Sequence, residues 1–375
     1  MATDVPDRRF AWLAVLAIGV GALVAYSNAL TNGFVWDDVS SVLLHQHVQD
    51  PSKFTQLFRE DQHAFGRGQG NFYRPLVAAS FMLDYALAKP AGNPVDPATG
   101  MPDIEPFLFH LTNVLWHIAA ALLLFGLMTR LGAPRALRVV VPLLYAVHPL
   151  HTEAIAYISG RADPMSAALM FAALLCALWR GAAVRRIVGA ALSALFFAAA
   201  LLSKESAAIY PFLLLWVVAL EPFIDAERPA RAVYIRRAPP VALAAALVAV
   251  YGVLRSTVLQ FAPPESVNAS FGQRIVDVGQ AFALYVRLIF VPTGLHMERT
   301  LDGVPGWVAL VGYLLLAGGV ALTIFGLRRG HPRLALAMGW FLIAWFPISG
   351  FIPLNAPMAE HWLYVPLAGF LWAVA

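Results

Sequence analysis

The chain has 375 residues, of which 60% are hydrophobic and 13% charged, with a formal net charge of +4. Ordinary soluble domains carry about 25% charged residues, so this composition excludes a soluble globular protein. The positive charge is arginine clustered in short turns, a topology signal rather than a nucleic-acid patch. Cys176 stands alone, so no intrachain disulfide is expected.

Repeated apolar runs have the ~20-residue length that crosses a hydrocarbon core. The first covers residues 10–30, with Arg8 and Arg9 holding its start in the cytoplasm. A signal peptide cut after Ser27-Asn28-Ala29 is the alternative. The run is long for one and many spans follow, so an uncleaved span is preferred. A long polar loop follows, residues 31–106. Its segments 53–59 and 76–88 suit interfacial helices, and 90–106, rich in Pro, Gly and Asp, reads as loop. Directly after the first span the loop carries two adjacent acids, Asp37 and Asp38.

Spans 2 and 3 are expected at 107–128 and 137–158, joined by a basic turn holding Arg130, Arg135 and Arg138. Span 4, residues 164–179, returns to Arg180, Arg185 and Arg186. Span 5 ends outside at Ser203-Lys204-Glu205, and span 6 returns to Arg228, Arg231, Arg236 and Arg237. Span 7 covers 241–259. Residues 273–291 place Arg274, Asp277, Gln280 and Arg287 largely on one helical face. Treating them as a non-spanning interfacial helix keeps Arg328, Arg329 and Arg333 cytoplasmic, as the positive-inside rule requires. Spans at 307–327 and 334–352 follow, and a last one starts after His361 and is cut by the end of the chain. The expectation is an all-α polytopic membrane protein of about ten spans, the last truncated.

This topology gathers the costly polar groups on one side: Asp37 and Asp38, Tyr73-Arg74, His148 to Asp163, Lys204-Glu205 and Glu360-His361. A charge at the centre of a span costs about 2.5–3.5 kcal/mol on insertion scales. Taken singly, each group also has a bland reading. Asp37-Asp38 is a solvated loop start, His148-Pro149 a helix end, and Arg161 and Asp163 a local ion pair. Lys204, one of three lysines, either pairs with Glu205 or holds an anionic ligand.

Several segments together resemble one family. They are Phe34-Val35-Trp36-Asp37-Asp38, Tyr73-Arg74-Pro75-Leu76, His110-Leu111-Thr112-Asn113-Val114-Leu115-Trp116-His117 and His148-Pro149-Leu150-His151-Thr152-Glu153-Ala154. Ser159-Gly160-Arg161-Ala162-Asp163, Leu202-Ser203-Lys204-Glu205 and Ala359-Glu360-His361-Trp362-Leu363-Tyr364-Val365-Pro366 complete the series. The series is similar to the membrane domain of the transmembrane-and-tetratricopeptide-repeat O-mannosyltransferases and their bacterial relatives, within the GT-C glycosyltransferases. Position 361 is His where that family more often has Arg.

The resemblance implies a GT-C-type bundle over residues 1–375, continued by one more span and tetratricopeptide repeats. It also implies a polyprenyl-phosphate-linked sugar, mannose or another hexose, as donor. The acceptor hydroxyl belongs to a protein Ser or Thr, or a glycan, on the extracytoplasmic side: the periplasmic face of an inner membrane or the lumenal face of the endoplasmic reticulum. Such transfer needs a base for the acceptor, and Asp37 or Asp38 fits, with Asp38 preferred. It needs cations for the leaving phosphate, and Arg74, Arg161 and Lys204 are the candidates. Tyr73, His148, His151, Glu153, Asp163, Glu205 and Glu360 are candidates for sugar or acceptor contacts or for holding the cations. No cofactor is required. A divalent metal, if one is used, would sit between Asp37 and Asp38, because paired acids bind hard cations. A transporter or flippase of lipid-linked sugars is the rival class, and a membrane scaffold that has lost activity is a third.

Overall fold

The computed structural model describes residues 8–66, 71–88, 90–95, 100–224, 230–259, 270–297, 299–352, 354 and 356–375. Thirteen α-helices and a single two-stranded hairpin make up its regular structure, together with short 3₁₀ and π turns. The chain is an all-α, multi-pass integral membrane protein.

Helix α1 (Arg8–Ala25) enters the bundle and passes through a 3₁₀ turn, Ser27–Thr31, into the first loop. Within the loop lie a π turn (Val39–Leu43) and a 3₁₀ helix (Pro51–Phe58), whose start is capped when Ser52 N–H donates to the Asp50 carboxylate. Helix α2 (Pro75–Leu87) follows, with Pro at its first turn where a missing N–H costs nothing. Strands β1 (Pro90–Val95) and β2 (Pro102–Ile104) form an antiparallel hairpin where the composition suggested plain loop.

The loop is seated by its own small core. Val42, Val48, Leu57, Val77, Phe81 and Met82 pack against Phe109, Ile158, Ala162 and Met165 of the bundle. Helix α2 thus lies on α3 (Phe107–Arg130) with its apolar side covered.

The next helix departs from the single span expected over residues 137–158. Helix α4 (Arg135–Val147) stops at His148, because the residue before a proline resists helical geometry. After a 3₁₀ turn at Pro149–His151, α5 (Thr152–Ala156) runs on at a bend of 49°. A further 3₁₀ turn, Ile158–Arg161, leads into α6 (Ala162–Ala177). Gly160 permits this: a Cβ there would collide with the carbonyl oxygens of Glu153 and Ala154.

Helices α7 (Ala183–Leu201) and α8 (Tyr210–Ile224) flank the turn Glu205–Ile209. Helix α9 (Ala230–Thr257) begins well before the expected residue 241, so Arg231, Arg236 and Arg237 are helical rather than loop. Arg228 lies outside the described residues. Helix α10 (Phe271–Phe290) packs on α11 (Trp307–Arg328) so closely that a Cβ on Gly312 would fall on the Gly279 carbonyl. Small residues permit such approach in lipid, where packing rather than water exclusion drives association. Helices α12 (Pro332–Trp345) and α13 (Tyr364–Val374) close the bundle.

Among the described residues, six helical segments are long and apolar enough to cross a membrane, seven if the bent α4–α5 pair is one span. They comprise α1, α3, α7, α8 with its preceding turn, α9 and α11. Of the ten expected spans, α6, α12 and α13 are shorter apolar helices of 16, 14 and 11 residues. Helix α10 has the length to cross but is not among these six, and nine of its residues are buried.

Candidate active site

The first loop makes a tight turn before the two acids. Trp36 has φ of 52°, a left-handed conformation that is costly for a bulky side chain. Asp38 holds the turn. One carboxylate oxygen accepts from Val35 N–H at 3.0 Å and the other from Ser159 N–H at 2.8 Å. Asp38 is fully buried, and burial pushes its carboxyl up to about 6 against those two hydrogen bonds. The loop is thereby pinned to the Ile158–Arg161 turn.

The same geometry turns Asp37 outward. Its backbone N–H donates to the Tyr157 hydroxyl at 3.1 Å, its carbonyl accepts from Ser40, and its side chain is exposed in the wall of a cavity of about 740 Å³. Among the described residues Asp37 takes part in no ion pair. His63 stands beside it, held through Nδ1 by Ser40 (2.9 Å) and Ser41 (3.0 Å), with burial lowering its imidazole pKa. Sequence reading preferred Asp38 as base; in the structure the Asp38 oxygens serve the loop, whereas Asp37 faces the cavity. Among the described residues no cluster of three His, Cys, Asp or Glu has metal-binding geometry.

Four ion pairs line or back the cavity. Arg74 is bidentate to Glu205, at 3.1 Å through Nε and 2.7 Å through Nη2. Lys204 donates to Asp163 at 2.6 Å. Arg299 binds Glu360 and the Gly294 carbonyl. His361 offers both Nδ1, at 2.7 Å, and its backbone N–H, at 3.1 Å, to the two oxygens of Glu153. All of these side chains except Glu360 lie in the wall, and Glu360 is buried behind Arg299. Ile209, Ala344, Pro347, Ile348 and Val365 make part of the wall apolar.

Other expected site residues lie elsewhere. Arg161 is fully buried beneath the first loop rather than in the cavity. Its guanidinium meets Asp84 (2.6 Å), Ser80 (2.6 Å), Asn113 (2.6 Å) and the Phe109 carbonyl (2.8 Å), and it lies over the Phe81 ring. With every donor nitrogen engaged, it fastens α2 to α3 and does not line the cavity. Tyr73 donates to the Phe58 carbonyl at 3.1 Å inside the loop. His148 caps the start of the Pro149–His151 turn, its Nδ1 accepting from Leu150 N–H, and its Nε2 contacts the Ile289 carbonyl at 3.1 Å. His151 is buried against Tyr145 and Tyr364, away from the cavity wall.

Arg299, His63 and Tyr157 are wall residues that sequence reading did not single out. Arg299 carries no spacing signal. An isolated bridge to Met358 brings its loop beside Glu360. His361 was visible in the last of the segments that carry the family resemblance, but its partner Glu153 is 208 residues away.

No family model matches the chain, and no solved structure does. Protein O-mannosyl-transferase TMTC3 of Homo sapiens is 31% identical over 167 residues, 44% of this chain and 17% of that protein. Protein O-mannosyl-transferase Tmtc1 of Drosophila melanogaster is 35% identical over 191 residues, 50% of this chain and 20% of that protein. Protein O-mannosyl-transferase Tmtc3 of Drosophila melanogaster is 26% identical over 448 aligned positions, covering 100% of this chain and 46% of that protein. The chain thus spans less than half the length of these relatives.

Proposed function

We propose a function for a chain that is homologous, end to end in one comparison, to the protein O-mannosyl-transferases. It is a membrane glycosyltransferase that moves a hexose, mannose by analogy with its relatives, from a polyprenyl-phosphate carrier to a Ser or Thr hydroxyl. The reaction takes place on the extracytoplasmic side. The observation that carries this reading is an exposed carboxylate, Asp37, which among the described residues has no ion-pair partner and shares one cavity with Arg74, Lys204 and Arg299.

Asp37 takes the acceptor hydroxyl proton as that oxygen attacks the anomeric carbon. Charge then develops on the departing phosphate. Arg74, Lys204 and Arg299 stabilise it from fixed positions, which costs no reorganisation at the moment of reaction. Their carboxylate partners fix the direction of each cation. A buried ion pair contributes little net stability, so its value here is placement. The apolar wall around Ala344, Ile348 and Val365 suits the first isoprene units of the carrier.

The test is incubation of membranes holding the protein with labelled polyprenyl-phosphate mannose and glucose. Expected is labelled protein together with free polyprenyl phosphate, both lost on Asp37→Asn. Label that crosses the membrane while staying on its lipid would identify a transporter instead.

A further inference from the structure

His361 differs from the other cations of the cavity in two respects. It is an imidazole, the side-chain type used as a proton shuttle, where the others are guanidinium or ammonium groups. It is also held through one ring nitrogen only: Nδ1 and the backbone N–H are both taken by the Glu153 carboxylate. Among the described residues Nε2 has no hydrogen-bond partner, and the ring lines the cavity with its side chain a quarter exposed. A carboxylate behind a histidine fixes its tautomer and the direction of its ring, the arrangement seen where His passes a proton.

The clamp is well braced. Glu153 lies in α5, the short helix created by the break at His148-Pro149, and the Tyr157 hydroxyl one turn later receives the Asp37 N–H. Helix α5 and the residue that follows it therefore hold both His361 and the turn that carries Asp37. On its other side His361 follows Glu360, which Arg299 holds. The neighbouring titratable and charged groups are Glu153 from α5, His151 from the turn before it, Tyr364 of α13, and Arg299, Asp163 and Lys204 in the cavity.

Resting on the glycosyltransferase reading above, we propose that His361 is the acid that protonates the leaving phosphate through Nε2, with Glu153 as its positioning residue. The bond between the anomeric carbon and the phosphate oxygen breaks as the acceptor oxygen bonds to that carbon. The acceptor proton passes to Asp37, and the Nε2 proton passes to the phosphate. Polyprenyl phosphate then leaves as its monoanion, and neutral His361 and protonated Asp37 reset by exchange with water. His63, the other histidine in the described wall, stands on the Asp37 side, with its Nδ1 held by two serine hydroxyls.

The experiment is the pH profile of sugar transfer by the full chain in membranes, with His361→Arg, His361→Gln, Glu153→Gln and His63→Gln compared and folding followed by thermal unfolding. His361→Gln is expected to lower turnover about 10²-fold. His361→Arg keeps the charge but lacks the transferable proton, so it retains donor KM, loses turnover and flattens the alkaline limb. Glu153→Gln shifts that limb to lower pH and lowers kcat more than KM. A wild-type alkaline limb in His361→Arg, or wild-type turnover in His361→Gln, overturns the proposal, as does loss of the limb in His63→Gln alone. If the unsubstituted protein transfers nothing, the glycosyltransferase reading itself fails and this proposal falls with it.

Discussion

The two ends of one set of helices treat buried charge in opposite ways. At the cavity, the starts of α6 and α8 bring Asp163, Lys204 and Glu205 to an open wall, and each cation has one carboxylate. At the far ends of α3, α6 and α8, Glu221 is buried between Arg237 (2.6 and 2.8 Å) and Arg130 (2.8 Å), with Arg180 at 3.8 Å. Arg237 also caps the carbonyls of Ala177, Leu178 and Trp179, and Arg130 joins it on Leu178. Cations at a helix C-terminus satisfy orphan carbonyls and oppose the dipole. The inner cluster is sealed and holds helices together. The pairs at the other end face an open cavity. A buried ion pair therefore does not by itself mark a site; an open volume beside it does.

That contrast can be broken by substitution. Asp37→Asn should have the largest effect, cutting transfer by about 10²–10⁴-fold while thermal unfolding in detergent stays as in the parent. Unchanged turnover with a lipid-linked donor would remove Asp37 as base. Glu221→Gln should act in the opposite sense. Leaving two arginines buried without their counter-charge costs about 3–5 kcal/mol. It should show as loss of folded protein in detergent, with turnover per folded molecule preserved.

Arg161→Lys sharpens the boundary between the two kinds of cluster. Lysine cannot reproduce the forked contacts to Asp84, Asn113 and Phe109, and unsatisfied buried groups cost about 1–3 kcal/mol each. The expected outcome is a lower unfolding temperature with unchanged apparent affinity for the lipid donor. A raised donor KM at full stability would return Arg161 to the phosphate site.

The smallest effect concerns Asp38. Its folded carboxyl sits near 6 and its ordinary value is 3.8, so the native loop holds the proton more tightly than the unfolded chain. Stability from this group is complete below about pH 4 and is lost as pH rises through about 6. Hydrogen exchange in residues 34–45 should speed up over that interval, and Asp38→Asn should flatten the change.

The distribution of apolar residues and arginines was enough to read the helical membrane class and most of the helices in order. Those properties follow from local length and composition: about 20 apolar residues cross a bilayer, and arginine stays on its cytoplasmic side. The segments around Asp37, Arg74, Lys204 and Glu360 were likewise visible, because charge beside apolar runs is conspicuous. Which acid faces the cavity was not. Asp37 and Asp38 are adjacent and chemically alike, and a backbone turn at Trp36 together with a hydrogen bond from Ser159, 121 residues away, separates them. Arg161 looked equivalent to Arg74 for the same reason. Only packing shows one closed in by α2 and α3 and the other at an open wall. The Glu221 cluster, Arg299 beside Glu360 and the Glu153 clamp on His361 pair residues 16 to 208 positions apart. Sequence sets what each helix carries and where it turns. The direction of each charged side chain is settled by contacts between distant helices, and on that direction depends which charges brace the protein and which await a substrate.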